Sequence, residues 1–306
     1  QKLLLFAGMT GFLIAAVAVP HAFDETGALF GFGYLVVIIV HLLLFTQADV
    51  LAGVLRLAPF NIASALLILG AGFVHGPLVY VLWVVALALQ AIAPYMAPDR
   101  SRKGVATSFR VSAAHFVERH GLLVIVALGE SVIAIGMGVD IEHITIATVG
   151  VIVLALVLPA ALFWTYFIDA AAAEHALAGA NAEARSLLAI RAYFFAHIPV
   201  LLGIVFAAAG IHAAIAHPGE RAGLPEATAL AGGVSLFLLG VAEVRRSLGI
   251  GSAVGRAMAA AAVLATIPVG TAASAGLQLV LVVGVVVAML AMRPAPRATT
   301  TATEAA

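Results

Sequence analysis

The sequence contains no cysteine, and this absence removes several kinds of chemistry. Disulfides, thiolate metal sites, iron–sulfur clusters and cysteine nucleophiles all need a thiol, so none of them is expected. Charged residues are also scarce, since they make up 10% of the 306 residues, against about 25% in soluble domains. The 15 lysines and arginines balance the 15 aspartates and glutamates. Net charge therefore gives no reason to expect a nucleic acid partner.

The sequence motifs of several enzyme classes are missing as well. We find no phosphate-binding P-loop, no Gly-x-Ser-x-Gly elbow and no His-Glu-x-x-His zinc motif. A membrane hydrolase or an ATP-driven pump is therefore not expected, and a non-enzymatic role is favoured. No metal site and no cofactor is predicted. The chain begins at Gln1 inside an apolar segment without a charged n-region or cleavage site, so we expect no signal peptide.

What the sequence does contain is a series of long apolar runs. Hydrophobic residues make up 64% of the chain, and the mean hydropathy is +1.16. A helix of about 20 apolar residues is long enough to cross a bilayer. We therefore predict an all-α, polytopic transmembrane bundle whose main partner is the lipid bilayer. About ten spans are expected, near residues 2–20, 28–46, 54–74, 77–97, 115–139, 144–168, 187–211, 227–244, 254–270 and 274–292.

The positively charged residues predict how these spans are oriented. Lysine and arginine accumulate in cytoplasmic loops. If the N-terminus is cytoplasmic, all 15 lysines and arginines except Arg221 fall on the cytoplasmic side. We therefore predict a multi-pass protein of the cell membrane with both ends of this chain in the cytoplasm. Residues 1–292 would form the transmembrane domain, and the polar segment 293–306 a disordered cytoplasmic tail.

A single carboxylate, Glu130, interrupts the apolar run of the fifth predicted span. It lies eleven residues beyond Arg119, which is about 16 Å along a helix and close to half of a hydrocarbon core of about 30 Å. A charge at that depth costs about 2.5–3.5 kcal/mol or more. With the neighbouring Ser131 and a stripe of small residues, Glu130 is predicted to face the bundle interior as a proton or cation site. The alternative is a structural glutamate that stays protonated and hydrogen-bonds across helices.

Other polar residues in the spans predict partners for this carboxylate. Tyr193 and His197 are four residues apart on the seventh span, and His197 falls near mid-depth. His41, Asn61 and Gln90 are predicted to continue a file of polar groups toward the cytoplasm. For each of them, ordinary hydrogen bonding between helices is the alternative. Tyr166 is expected in the aromatic belt at the membrane interface.

A dense polar turn precedes Glu130 at the cytoplasmic boundary of the same span. It consists of His115, Glu118, Arg119 and His120. Because histidine titrates near neutral pH, this turn is predicted to be where protons enter the helix. The alternative is an interfacial anchor in which Glu118 pairs with His115 or Arg119.

Residues 115–136, HFVERHGLLVIVALGESVIAIG, resemble the signature of the bacterial low temperature requirement protein A (LtrA) family. The Glu-Arg-His-Gly opening at 118–121 and the Leu-Gly-Glu-Ser core at 128–131 carry the resemblance, and segments 19–34 and 191–210 fit it. It implies a helical membrane protein but no reaction. Family members begin with a further acidic and apolar motif and another span. Against that pattern about two N-terminal spans are absent here, so an intact relative is expected to have about twelve.

Three functions are compatible with these observations. The leading hypothesis is a proton-coupled secondary transporter that moves a small solute, with Glu130 as its proton or cation site. A membrane redox or lipid-modifying enzyme is the second, in which His41 and His197 could hold a haem between spans. The third is a non-catalytic membrane protein that supports envelope function in the cold. The sequence leaves the solute and any oligomer open.

Overall fold

The computed structural model describes residues 2–45, 51–96, 112–139 and 146–292 of the chain. All regular structure in these ranges is helical, which confirms the predicted all-α fold class. The predicted tail 293–306 and the arginines predicted in the 98–110 loop lie outside the described residues. The chain divides into two compact units, Gln1–Arg110 and Val111–Ala306.

Seven helical segments of the described chain are long and apolar enough to cross a membrane. Three further apolar stretches of 10–17 residues lie in other helices of the same ranges, at Leu57–Ala71, Pro77–Ala93 and Ala275–Ala291. A multi-pass membrane protein is therefore confirmed, while the predicted number of about ten spans is slightly too high.

The first unit is a succession of helices in which each packs mainly against the next one in sequence. Its helices are α1 (Lys2–Ala18), α2 (Gly27–Phe45), α3 (Leu51–Ala71) and α4 (Pro77–Met96). Glycines let α2 and the end of α3 approach closely, because a Cβ on Gly31 would collide with the backbone of Leu69 and one on Gly72 with the backbone of Ala28. Small residues at a helix contact are typical of membrane bundles, where close packing replaces the hydrophobic effect.

The second unit contains both long helices and short helical segments. In chain order these are α5 (Ala113–Gly138), α6 (Ile146–Phe167), α7 (Ala170–Gly179), α8 (Ala182–Ala189), a π-helical turn (Ile190–Phe195), α9 (His197–Ala216), α10 (Leu224–Leu248), α11 (Val254–Leu264), α12 (Ile267–Ala272) and α13 (Ala275–Ala291). Two of these helices, α7 and α8, lie mostly between the predicted sixth and seventh spans, 144–168 and 187–211. The side chain of Asn181 caps α8 by accepting from the N–H of Ala184 at 2.9 Å.

Helices α9 and α10 form the centre of the second unit, and paired glycines set their distance. Gly203 and Gly210 lie seven residues apart on α9, and Gly233 and Gly240 lie seven apart on α10. A Cβ on Gly203 would come within 2.7 Å of the carbonyl oxygen of Gly233. The two backbones are therefore in near contact, and the fully buried ring of Phe237 lies in the core beside them. Helix α5 also packs against α9.

Candidate functional site

Imidazole and phenol rings gather in the second unit around the π-helical turn. We call His120 of α5, Tyr166 of α6, Tyr193 of the turn and His197 of α9 the His–Tyr cluster. The rings of Tyr193 and His197 stack with centroids 5.0 Å apart. The ring of His120 lies 4.9 Å from that of Tyr193 and 5.1 Å from that of His197. Three separate stretches of the chain thus bring four proton-carrying side chains together.

Both ring nitrogens of His197 are hydrogen-bonded, and the side chain is only 2% exposed. Its Nδ1 lies 2.9 Å from the carbonyl oxygen of Ala192, and its Nε2 lies 2.7 Å from the hydroxyl of Tyr166. Because a carbonyl oxygen only accepts, Nδ1 carries the hydrogen and donates it. In the neutral imidazole Nε2 is then an acceptor, so the Tyr166 hydroxyl donates to it. The neighbours of His197 therefore select one tautomer.

The π-helical turn explains how the carbonyl of Ala192 becomes available. In this turn the N–H of Ala196 donates to the oxygen of Arg191, five residues back, at 3.2 Å. The Nδ1 of His197 reaches the carbonyl of Ala192 across the same five-residue interval. π turns are rare, and they occur frequently at functional sites.

An ionic group lies directly after the end of α6, one turn beyond Tyr166. Asp169 pairs with Arg245 of α10 and, at 2.7 Å, with Arg256 of α11. Arg256 is 4% exposed, and it also donates to the carbonyl oxygen of Thr165 at 3.2 Å, near the end of α6. One carboxylate therefore joins three helices. Breaking a buried charge pair by removing one partner costs about 3–5 kcal/mol.

A small cavity of about 30 Å³ connects this ionic group with the His–Tyr cluster. Its walls include Tyr166, Tyr193, Asp169 and Arg245. A cavity of more than about 10–15 Å³ with several polar partners has room for a water molecule. The cavity thus borders both tyrosines of the cluster as well as Asp169.

Comparison with known proteins gives the chain a family. The family model described as bacterial low temperature requirement A protein (LtrA) matches residues 1–291. The chain belongs to the LtrA family. It is 28% identical over 255 residues to an uncharacterized protein of Rhizobium meliloti (strain 1021), a match that covers 80% of this chain and 62% of that relative. This LtrA chain therefore spans less than two thirds of the relative's length, and no solved structure matches it significantly.

The predicted site residues of this LtrA chain do not all lie together. Tyr193 and His197 meet His120, as the ring distances show. Glu130 lies ten residues beyond His120 on the same helix, about 15 Å along it, and its side chain is exposed. Glu130 is therefore not part of the packed core of the second unit, and its role as a proton or cation site stays a prediction. Ser131 is buried, and its Oγ has no hydrogen-bond partner among the described residues.

The polar turn before Glu130 divides into an exposed part and a half-buried part. His115 and Glu118 are 3.9 Å apart and largely exposed, and Arg119 is exposed as well. His120 is half-buried, and its Nδ1 donates to the carbonyl oxygen of Phe116 at 2.8 Å. His120 is thus the member of this turn that reaches the His–Tyr cluster.

The remaining polar residues predicted to form a file lie in the first unit. His41 is exposed with its ring against Phe45, Asn61 is half-buried, and the Nε2 of Gln90 lies 3.4 Å from the hydroxyl of Tyr34. A continuous file through these three residues and Glu130 stays a prediction.

Sequence reasoning missed the roles of Tyr166 and Asp169. Tyr166 was predicted in the aromatic belt, yet its hydroxyl lies buried against His197. The sequence does contain a signal for Asp169, because a lone carboxylate at the end of an apolar run indicates an ionic partner nearby. Its partners, Arg245 and Arg256, lie more than 70 residues away in sequence, so only the fold identifies them.

The side chains of the site bear on whether it could hold a metal ion or a haem. Within the described ranges, no three histidine, aspartate or glutamate side chains gather closely enough to bind a metal ion. Haem ligation through His197 would require loss of its hydrogen bond to Ala192 or to Tyr166. Both ring nitrogens of His197 are therefore already engaged by protein groups.

Proposed function

We propose that this LtrA chain is part of a proton-coupled secondary transporter, and that the His–Tyr cluster carries the proton. The observation on which this rests is the buried hydrogen bond from the Tyr166 hydroxyl to His197 Nε2. A tyrosine hydroxyl both donates and accepts, and an imidazole can hold a proton on either nitrogen. Such a pair can therefore pass a proton on by exchanging which group donates. Histidine is the side chain whose ordinary titration lies near physiological pH.

The proposed proton path begins at His120, which is half-buried and the most accessible histidine of the cluster. It continues to His197, whose ring lies 5.1 Å away, and then to Tyr166. The small cavity beside Tyr166 and Tyr193 leads on to Asp169. Asp169 is held by two arginines, and its carboxylate marks the inner end of the proposed path. His115 and Glu118 would supply protons at the exposed end.

Glu130 is the second proton- or cation-binding group in this proposal, together with Ser131. Its place near the middle of a membrane-spanning helix supports the assignment, because carboxylates at that depth mark transport pathways. Glu130 is exposed in this chain. Inside a membrane, contact with another polar surface, a water-filled space or protonation of the carboxylate would have to offset the cost of removing it from water. We further propose cytoplasmic ends for the chain, so that His120 lies near the cytoplasmic face.

The proposal is tested by measuring proton flux in liposomes that contain the purified protein and a pH-sensitive dye. Tyr166→Phe removes one hydroxyl and keeps the ring, so the packing around His197 should survive. We expect the proton flux to fall at least tenfold, since the donor to His197 is lost. Tyr80→Phe is the matched control, because Tyr80 is 60% exposed, lies in the first unit and should retain the flux of the unchanged protein.

Two outcomes would count against the proposal. If Tyr166→Phe conducts protons as well as Tyr80→Phe does, the hydrogen bond to His197 has only a structural role. If the unchanged protein shows no proton flux under any imposed gradient, the LtrA chain is better described as a non-catalytic membrane protein that supports growth in the cold.

A further inference from the structure

A larger cavity lies at the opposite end of the second unit. It has a volume of about 300 Å³ and is bounded by the end of α9, the start of α10 and the start of α13. Gly210 is the lining residue of α9 nearest to His197, and the 13 residues between them place this cavity about 20 Å along the helix from the His–Tyr cluster. Sites for small molecules have volumes of about 300–1,000 Å³.

The wall of this cavity is a loop that backbone hydrogen bonds hold in place. The N–H of Ala222 donates to the oxygen of Gly270 at 2.9 Å. The oxygens of Pro218 and Glu220 accept from Gly276 and Ala275 at 2.9 and 2.8 Å. Because three backbone bonds tie residues 218–222 to α12 and α13, the cavity is a preformed feature of the fold. Preformed sites lose less ordering entropy when a ligand binds.

A buried amide and small apolar residues line the inner part of the cavity. Gln278 is 1% exposed, and its Nε2 donates to the carbonyl oxygen of Ala227 at 2.9 Å. This bond fixes the orientation of the amide, since a carbonyl oxygen only accepts. The side-chain oxygen of Gln278 is then the remaining acceptor. Ala214 and Leu230 provide apolar surface beside it.

The outer part of the cavity carries charges of both signs. Glu220 pairs with His217 at 3.7 Å. Arg221 and Glu226 also line the cavity, and neither forms a hydrogen bond or ion pair with any residue in the described part of the chain. The carboxylate of Glu226 folds back beside Gly223 at the start of α10. A guanidinium and a carboxylate therefore border the same space without neutralising each other.

We propose that this cavity binds a small zwitterion that bears one ammonium and one carboxylate group, in the class of short α-amino acids. The guanidinium of Arg221 would bind the carboxylate through two parallel hydrogen bonds. Glu226 would accept from the ammonium group, and the apolar wall would contact a short side chain. The assignment of this zwitterion as the transported solute rests on the proposed transport function. Its binding to the cavity does not.

Calorimetric titration of the purified full chain with three probes of nearly equal size tests the proposal. L-Alanine carries both charges, alaninamide lacks the carboxylate, and propionate lacks the ammonium group. We expect L-alanine to bind at least tenfold more tightly than either of the others, because each of them leaves one charged side chain without a partner. Equal binding of alaninamide or propionate would overturn the proposal, and so would an absence of L-alanine binding.

Variants locate the binding and separate it from proton transfer. Arg221→Gln and Glu226→Gln change exposed side chains, and each should weaken L-alanine binding about tenfold. Glu25→Gln, an exposed glutamate in a loop of the first unit, is the matched control and should bind normally. Unchanged binding by both cavity variants would refute the site. Tyr166→Phe should bind L-alanine normally while losing proton flux, so the failure of one proposal can be told from the failure of the other.

Discussion

Two neighbouring residues of α5, Glu130 and Ser131, lie in opposite environments. The charged side chain is exposed, whereas the hydroxyl is buried. Ser131 lies on the stripe of α5 that packs into the core, between Leu128 and Ile135. Its Oγ has no hydrogen-bond partner among the described residues. A buried polar group without a partner lowers stability by about 1–3 kcal/mol.

The unpartnered hydroxyl leads to a prediction that compares two buried serines. Ser131→Ala should leave the thermal stability in detergent unchanged or raise it, since it removes an unsatisfied group. Ser235→Ala should lower stability by about 1 kcal/mol, because the Oγ of Ser235 donates to the carbonyl oxygen of Ala260 at 2.8 Å and joins α10 to α11. Melting of both variants, followed by circular dichroism, checks the order. A greater loss at Ser131 would show that its hydroxyl has a partner.

Glu130 carries a second prediction at the scale of one side chain. Glutamine keeps the size and hydrogen-bonding capacity of a protonated glutamate but cannot ionise. Glu130→Gln should therefore give nearly normal membrane yield and lose proton-linked activity. Yield and liposome proton flux are the two measurements. Full activity would make the carboxylate structural, and a failure to fold would mean that the glutamate is ionised and paired.

At the scale of elements, close contact between α9 and α10 depends on glycine. Gly233 faces α9, and a Cβ there would collide with the backbone N–H of Ala207, whereas a Cβ on the adjacent Gly232 would meet only a side-chain methyl of Thr228 at 3.8 Å. Gly233→Ala should lower the free energy of unfolding by about 1–3 kcal/mol through overpacking. Gly232→Ala should be neutral or slightly stabilising, because alanine favours a helix by about 1 kcal/mol over glycine. Equal melting temperatures for the two would contradict the observed helix contact.

The π-helical turn shows how an element can create a site. It places Tyr193 beside His197 and frees the carbonyl that fixes the tautomer of His197. An apolar run such as residues 187–211 indicates a helix but gives no sign of a wider turn within it. The turn could therefore not be predicted, although the spacing does single out Tyr193 on the turn and His197 directly after it.

At the scale of the whole molecule, the distribution of arginine and lysine predicts the membrane orientation. Reporter fusions in the 98–110 loop and after Arg293 should report the cytoplasm, because the loop holds four of the 15 lysines and arginines and because Arg293 and Arg297 follow the last span. Fusions near 22–26 and 213–226 should report the outside. A fusion in the 98–110 loop that reports the outside would show that the number of spans before it is wrong.

The sequence determined the class of this protein, since apolar runs of membrane-spanning length have few other stable solutions. It also indicated His120, Tyr193 and His197, because polar residues are conspicuous in an apolar context. Tertiary structure decided which of these residues meet. The partners of His197 and Asp169 come from distant parts of the chain, and the exposure of Glu130 follows from which face of α5 packs on α9. Helix packing depends on the shape of side chains across several helices, and the sequence of a single apolar span does not identify the helices that pack against it.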